Sequence, residues 1–294
     1  MPNLLSHLRR SLSEPHLVPR ELNRQYYRLN NNRFNDSGTP VFDLDWDNLV
    51  ILDACRYDFF VEAETELPGE TSSRTSCAST TTEFLRANFA DRSLNDSVCV
   101  TGNAWYQKLR QELDLDFYAF FDENHESSGP LVNRVREIVP DYPHKRFIVH
   151  LLPPHTPYVG PTADRHFPGY DEQHRILTDF RSNDISDDVL HQAYRENIDR
   201  VLSHVRELLS ILDGKTIVTA DHGELLGDRL RPIPIKDYGH YSQLYVKELT
   251  EVPLLIHDDN TRREIRAEPP ENDRHQMDEG AVEERLRKLG YMDV

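Results

Sequence analysis

Short apolar runs punctuate an otherwise polar chain at Asn48–Leu52, Ser97–Thr101, Lys145–Leu152, Thr216–Ala220 and Glu251–His257, each with the length and branched side chains of a buried strand. Elsewhere the period is helical. Leu190, Tyr194, Ile198, Val201, Val205, Leu208 and Leu212 predict a long amphipathic helix over 186–212, stopped by Gly214. Ala104–Leu113 and Leu131–Val139 read as shorter helices, and Ala281–Tyr291 as an amphipathic helix ended by Gly290. Strand, helix and strand in succession imply an α/β fold with a mostly parallel central sheet and helices on both faces. Thr71–Thr82, Asp114–Pro130 and the Pro-containing stretch after Asp228 are expected to be loops, and the polar stretch 160–184, with Arg165, His166, His174 and Arg175, a lid over a site. The pattern divides the chain into a helical cap over 1–40, with Leu4, Leu5 and Leu8 on one side, an α/β domain over 41–260, and a charged segment over 261–294 whose short helix packs on that domain.

Two of the apolar runs end in ionisable groups. Asn48–Leu52 leads into Asp53-Ala-Cys-Arg56-Tyr-Asp58, and Thr216–Ala220 into Asp221-His222-Gly-Glu224. Buried parallel strands deliver side chains at their carboxyl ends, where open α/β sheets place sites, and a carboxylate there calls for a cation or a donor. Carboxylate beside neutral imidazole suits Zn, Mn or a similar divalent ion. The bland alternatives are helix caps at Asp53 and Asp221, with Arg56 and Asp58 as a local ion pair. A third run empties into Pro153-Pro154-His155-Thr156-Pro157, whose prolines hold the imidazole in one orientation. Hydroxyls ahead of Glu83 mark a helix N-terminus, an environment that favours an alkoxide, so a nucleophile is sought among Ser79, Thr80 and Thr81.

Composition narrows the function. The 294 residues carry a formal charge of −17, which disfavours nucleic acid as a partner. Acid excess spread along the chain, with a mean hydropathy of −0.67, matches proteins adapted to high intracellular salt. Three isolated cysteines, Cys55, Cys77 and Cys99, point to a reducing cytoplasm rather than a disulfide framework. Neither a transmembrane run nor a secretory signal is expected.

Taken in order, Leu52-Asp53-Ala-Cys-Arg56-Tyr-Asp58, Pro154-His155-Thr-Pro-Tyr158, Thr219-Ala-Asp221-His222-Gly-Glu224-Leu-Leu-Gly227, Gly239-His240 and Val252-Pro-Leu-Leu resemble the sulfatase and alkaline phosphatase superfamily, from Asp47 to the C-terminus. The resemblance implies a metal-dependent hydrolase or group transferase of sulfate or phosphate esters, with small molecules, glycans or lipid head groups as substrates. It implies one divalent ion (Mn, Zn, Mg or Ca) on Asp53, Thr81, Asp221 and His222. His155 and His240 are then catalytic contacts to the transferred group or its leaving oxygen, and Arg56 a substrate contact. Two departures refine it. Cys77-Ala-Ser-Thr-Thr81 lacks the Pro and Arg of Cys-x-Pro-x-Arg, so formylglycine is not expected, and Thr81 matches the threonine nucleophile, with Ser79 and Thr80 as rivals. Leu151 stands where binuclear relatives carry Asp, which favours one ion over two. The alternative is a non-catalytic binding protein that kept the fold and lost the nucleophile. Nothing in the sequence points to an oligomeric state.

Overall fold

The apolar runs all become neighbouring strands of one sheet. The computed structural model describes residues 18–63, 67–123, 127–167, 185–271 and 279–288. The strands are β1 (Asn48–Leu52), β2 (Glu70–Thr75), β3 (Leu94–Thr101), β4 (Phe117–Asp122), β5 (Arg146–Leu151), β6 (Thr216–Ala220), β7 (Leu225–Arg229), β8 (Lys236–Gly239) and β9 (Glu251–His257). Seven form the central sheet in the order β2-β9-β6-β1-β5-β3-β4, while β7 and β8 pair as a small antiparallel hairpin. The sheet is parallel from β6 to β4, and β9 runs antiparallel to both β6 and β2. Two segments expected to be loops therefore contain strands, β2 in the hydroxyl-rich stretch and β4 in the acidic stretch, while the Pro-containing loop expected after Asp228 joins β7 to β8.

Strand periodicity sorts the core. Val50 and Leu52 face one apolar cluster, Leu49 and Ile51 the other. On the first face lies the helix Asp187–Ile211, which buries Leu190, Tyr194, Ile198, Val201, Val205 and Leu208. Each such side chain contributes roughly 1.5–3 kcal/mol. The helix ends one residue before Leu212, and Gly214 at φ +92° makes the turn into β6 that a side chain would strain. On the second face Trp46, Phe84, Phe89, Tyr106 and Phe117 pack together.

Helix Val18–Leu29 lies against the β7–β8 hairpin, with Arg20 paired to Asp237 and Asn23 Nδ2 donating to the Ile233 carbonyl at 2.9 Å. Beyond β9 the chain crosses the surface without regular structure. Arg262 pairs with Asp45 and Asp47, and the amides of Arg266 and Glu271 donate to the carbonyls of His144 and Tyr118. Helix Glu279–Lys288 seats Val282 and Leu286 against Ala104 and Trp105. Leu4, Leu5 and Leu8 of the expected cap, His174 and Arg175 of the expected lid, and Tyr291 lie outside the described residues. All three cysteines are buried free thiols. No described helix is long and apolar enough to cross a membrane.

Register then fixes the site. Leu52 is level with Leu151 and Ala220, so β1, β5 and β6 end together. The turn after β1 puts Ala54 at φ 57°, a left-handed conformation that costs about 1–2 kcal/mol for a residue with a Cβ. Tyr194 holds it there: its hydroxyl donates to the Ala54 carbonyl at 2.7 Å and accepts from the Arg56 amide at 2.9 Å. Tyr194→Phe leaves both backbone groups without that partner and is expected to cost about 1–3 kcal/mol. Urea denaturation would show this as a lowered midpoint, and an unchanged midpoint would contradict the role.

Candidate functional site

The first ligand cluster gathers at the level ends of β1, β5 and β6. Asp221 Oδ1 accepts from the amides of Ala54 at 3.0 Å and His222 at 2.9 Å. That leaves Oδ2 facing inward, 3.4 Å from His222 Nε2 and 3.9 Å from His150 Nε2. Asp53 lies opposite, 3.7 Å from each of the same two nitrogens, and also accepts from Asn103 Nδ2. His222 Nδ1 donates to the Gly223 carbonyl at 2.8 Å, which leaves the Nε2 lone pair pointing at the carboxylates. Thr81 Oγ1 completes the group, 3.3 Å from His222 Nε2.

These residues fit a divalent cation. Asp53, His150, Asp221 and His222 are fully buried, and Asp221 Oδ2 and His150 Nε2 make no hydrogen bond. Ligand atoms of Asp53, His150 and Asp221 lie within 4.8 Å of one another. Two carboxylates and two imidazoles in a buried cluster form the mixed oxygen and nitrogen set that Zn or Mn takes. The nearby Arg74 guanidinium is committed elsewhere, to Thr219 Oγ1 at 2.8 Å and the carbonyls of Ala220 and Thr39.

A second group adjoins the first through His222. His155, Glu224 and His240 also bring ligand atoms within 4.8 Å of one another. His240 Nδ1 meets both Glu224 carboxylate oxygens at 3.2 Å, and its ring stands 4.4 Å from His222 and 5.2 Å from His155. Asn197, on the long helix, fixes the loop that carries His155. Its Nδ2 donates to the Pro157 carbonyl at 3.1 Å, and its Oδ1 accepts from Val159 at 2.8 Å. Leu151, which suggested a single ion, belongs to the apolar core, and this group forms without it. Burial lowers His150, His155 and His240 to about 4, so their imidazoles are neutral at pH 7. Burial raises Glu224 to about 7, opposed by His155, His222 and Arg56.

Hydrogen bonding separates the three hydroxyls that the sequence left open. Ser79 Oγ sits 3.0 Å from a Glu83 carboxylate oxygen and 2.9 Å from the Tyr241 carbonyl, and Thr80 is the N-cap of helix Thr81–Asn88. Both are structural. Thr81 is the hydroxyl brought to the ligands. The Arg56 guanidinium pairs with Asp58 and Asp228, each at 2.7 Å, and lies near the Phe59 ring. His150, Glu224 and Asn103 escaped the sequence reading. The signal for His150 was one polar residue inside the apolar run of β5, and for Glu224 its position two residues after His222.

No protein-family model and no curated protein matches the chain. Among solved structures, the C-terminal periplasmic domain of EcEptC from Escherichia coli, in complex with Zn, superposes with a TM-score of 0.52 at 16% identity over 72% of either chain. The chain has the alkaline phosphatase-like fold. Other domains similar to it include phosphoethanolamine transferase EptC from Campylobacter jejuni, at 13% identity, TM-score 0.46, covering 72% of this chain and 78% of that one. A 2-O GAG sulfatase is 14% identical, with TM-score 0.45 over 76% of this chain and 65% of its own. Identities this low establish the alkaline phosphatase-like fold and nothing finer.

The neutral imidazoles make stability depend on pH. In metal-free protein His150, His155 and His240 protonate near 6.5 when unfolded but only at about 4 when folded. The unfolded state therefore binds more protons between those values, and stability falls as pH drops through the window. Glu224 acts oppositely, losing its contribution as pH rises from 4.5 through about 7. Three imidazoles outweigh one carboxyl, so the urea midpoint is expected to be lower at pH 5 than at pH 7. A higher midpoint at pH 5 would contradict this assignment.

Proposed function

We propose that the protein is a metal-dependent transferase or hydrolase of phosphate or sulfate esters, with Thr81 as the attacking hydroxyl. The observation that carries this reading is the convergence of Thr81 Oγ1 with His222 Nε2 and the inward oxygens of Asp53 and Asp221. Asp53, Asp221, His222 and Thr81 would hold the ion, with His150 as a further donor. Bound there, a divalent ion lowers the pKa of the hydroxyl and offsets charge on the ester oxygens.

The chain's own groups supply the rest. Thr81 Oγ1 forms the bond to phosphorus or sulfur while the bond to the alcohol oxygen breaks, leaving the group on Thr81. His155 and His240, neutral at pH 7, would hold the ester oxygens, and one of them would take the proton that Thr81 loses and pass it to the departing alkoxide, with Glu224 fixing the His240 ring through Nδ1. Water or an acceptor alcohol then takes the group, and the acceptor decides between hydrolysis and transfer. Zinc in the Escherichia coli domain of the same fold supports zinc as the first ion to test. The binding-protein alternative loses its main support, because the hydroxyl it supposes lost stands at the ligand cluster.

Metal analysis by plasma mass spectrometry, wild type beside Asp221→Ala, tests the site. The wild type is expected to carry bound ion that the variant lacks, and equal content would overturn the ligand assignment. Thr81→Ala is expected to retain the ion and lose turnover of aryl phosphates or sulfates by about 1000-fold or more. Activity retained in Thr81→Ala would exclude Thr81 as the nucleophile.

A further inference from the structure

Helix Val18–Leu29 is amphipathic with its faces reversed. Val18, Leu22, Tyr26 and Leu29 are 37%, 53%, 48% and 83% exposed. At 100° per residue they fall within about 80° of arc, a single outward stripe. The face turned to the protein is mostly polar, with Tyr27 as its one apolar contact to the cluster beneath. Arg20 pairs with Asp237, Asn23 exchanges hydrogen bonds with the Ile233 amide and carbonyl, and Arg24 donates to the Ser242 carbonyl at 2.8 Å. A helix that had only to pack on its own domain would bury Leu22 and Tyr26 instead.

Charge identifies what the stripe suits. From 18 to 35 the sequence holds Arg20, Arg24, Arg28 and Arg33 against Glu21 alone, in a chain of net charge −17. Arg20 is engaged by Asp237 and Arg24 by Glu21, while Arg28 and Arg33 are exposed to solvent. An apolar stripe flanked by arginines is the composition of a helix that lies in a membrane interface. A second copy is a poorer fit: four side chains on a twelve-residue helix offer far less than the roughly 800 Å² per partner of a stable interface.

We propose that this helix docks the protein on a lipid surface bearing anionic head groups, with Leu22, Tyr26 and Leu29 at the acyl boundary and Arg28 and Arg33 on the phosphates. Its inward bonds reach Asp237 and Ser242, on either side of His240, so docking would set the ligand clusters beside the membrane plane. The inference stands on the helix alone and does not require the site to be catalytic.

Sedimentation of the full-length chain with phosphatidylglycerol or phosphatidylcholine vesicles tests it. Wild type is expected to bind the anionic vesicles at least about 10-fold better than the zwitterionic ones, against its own net charge, and to release as salt is raised. Leu22→Gln with Leu29→Gln, both exposed positions, is expected to lose that binding while its urea midpoint and its turnover of a soluble aryl ester stay unchanged. Equal sedimentation of wild type and double variant, or no sedimentation of either, overturns the proposal. So does light scattering that shows a dimer which the double variant dissociates. Loss of binding on deleting residues 1–17, with the double variant still bound, would also overturn it by moving the contact to that segment.

Discussion

Asp53 and Asp221 are carried, fully buried, to the level ends of adjacent parallel strands, and like charges in such a place cost several kcal/mol unless compensated. Much of the surrounding structure is that compensation. Asp221 receives two backbone amides, Asp53 receives Asn103, and two imidazole nitrogens face the oxygens that remain. One of those amides belongs to Ala54, whose left-handed turn is held by Tyr194 of the long helix. Fold and site are thus bound by the same contacts, and the cation the cluster fits would relieve the charge that the strands impose.

The centre of the sheet was legible because its strands are buried on both faces and read as continuous apolar runs. Its edges were not. β2 reads Glu-Thr-Ser-Ser-Arg-Thr, with neither an apolar run nor a buried alternate face. It is a strand because β9 pairs with it along its length and Arg74 reaches across to β6. β4 does carry aromatic residues, but acidic neighbours hid them, and only its pairing with β3 declares it. Tertiary pairing overrides local preference where one side of a strand meets water.

The site divides in the same way. Asp53, Asp221 and His222 follow buried strands, so the break in the apolar pattern announced them. His150 lies inside a strand, level with Ile51 of β1, and only that register aims its ring at the carboxylates. Ser79, Thr80 and Thr81 are adjacent hydroxyls with one composition. What distinguishes them is Glu83 and Tyr241, and the latter is a partner 162 residues away that no local pattern contains. Arg56 shares its charge between Asp58 and Asp228, and the second of these partners is 172 residues away in sequence.

Two polar residues on one turn of the long helix then account for how the ligand groups keep their places. Tyr194 fixes the turn after β1 and Asn197 the loop after β5, so a single rigid element sets the first carboxylate and His155. Glu83 does the corresponding work on the other side. It accepts from the amides of Ser79 at 3.0 Å and Gln243 at 2.8 Å, joining the start of the Thr81 helix to the loop that follows His240. The proposed nucleophile and the proposed proton donor are therefore positioned by one carboxylate, and the two strand-borne ligand groups by one helix. Movement of either anchor would shift several reacting groups together, which is how a site assembled from distant segments keeps its internal geometry.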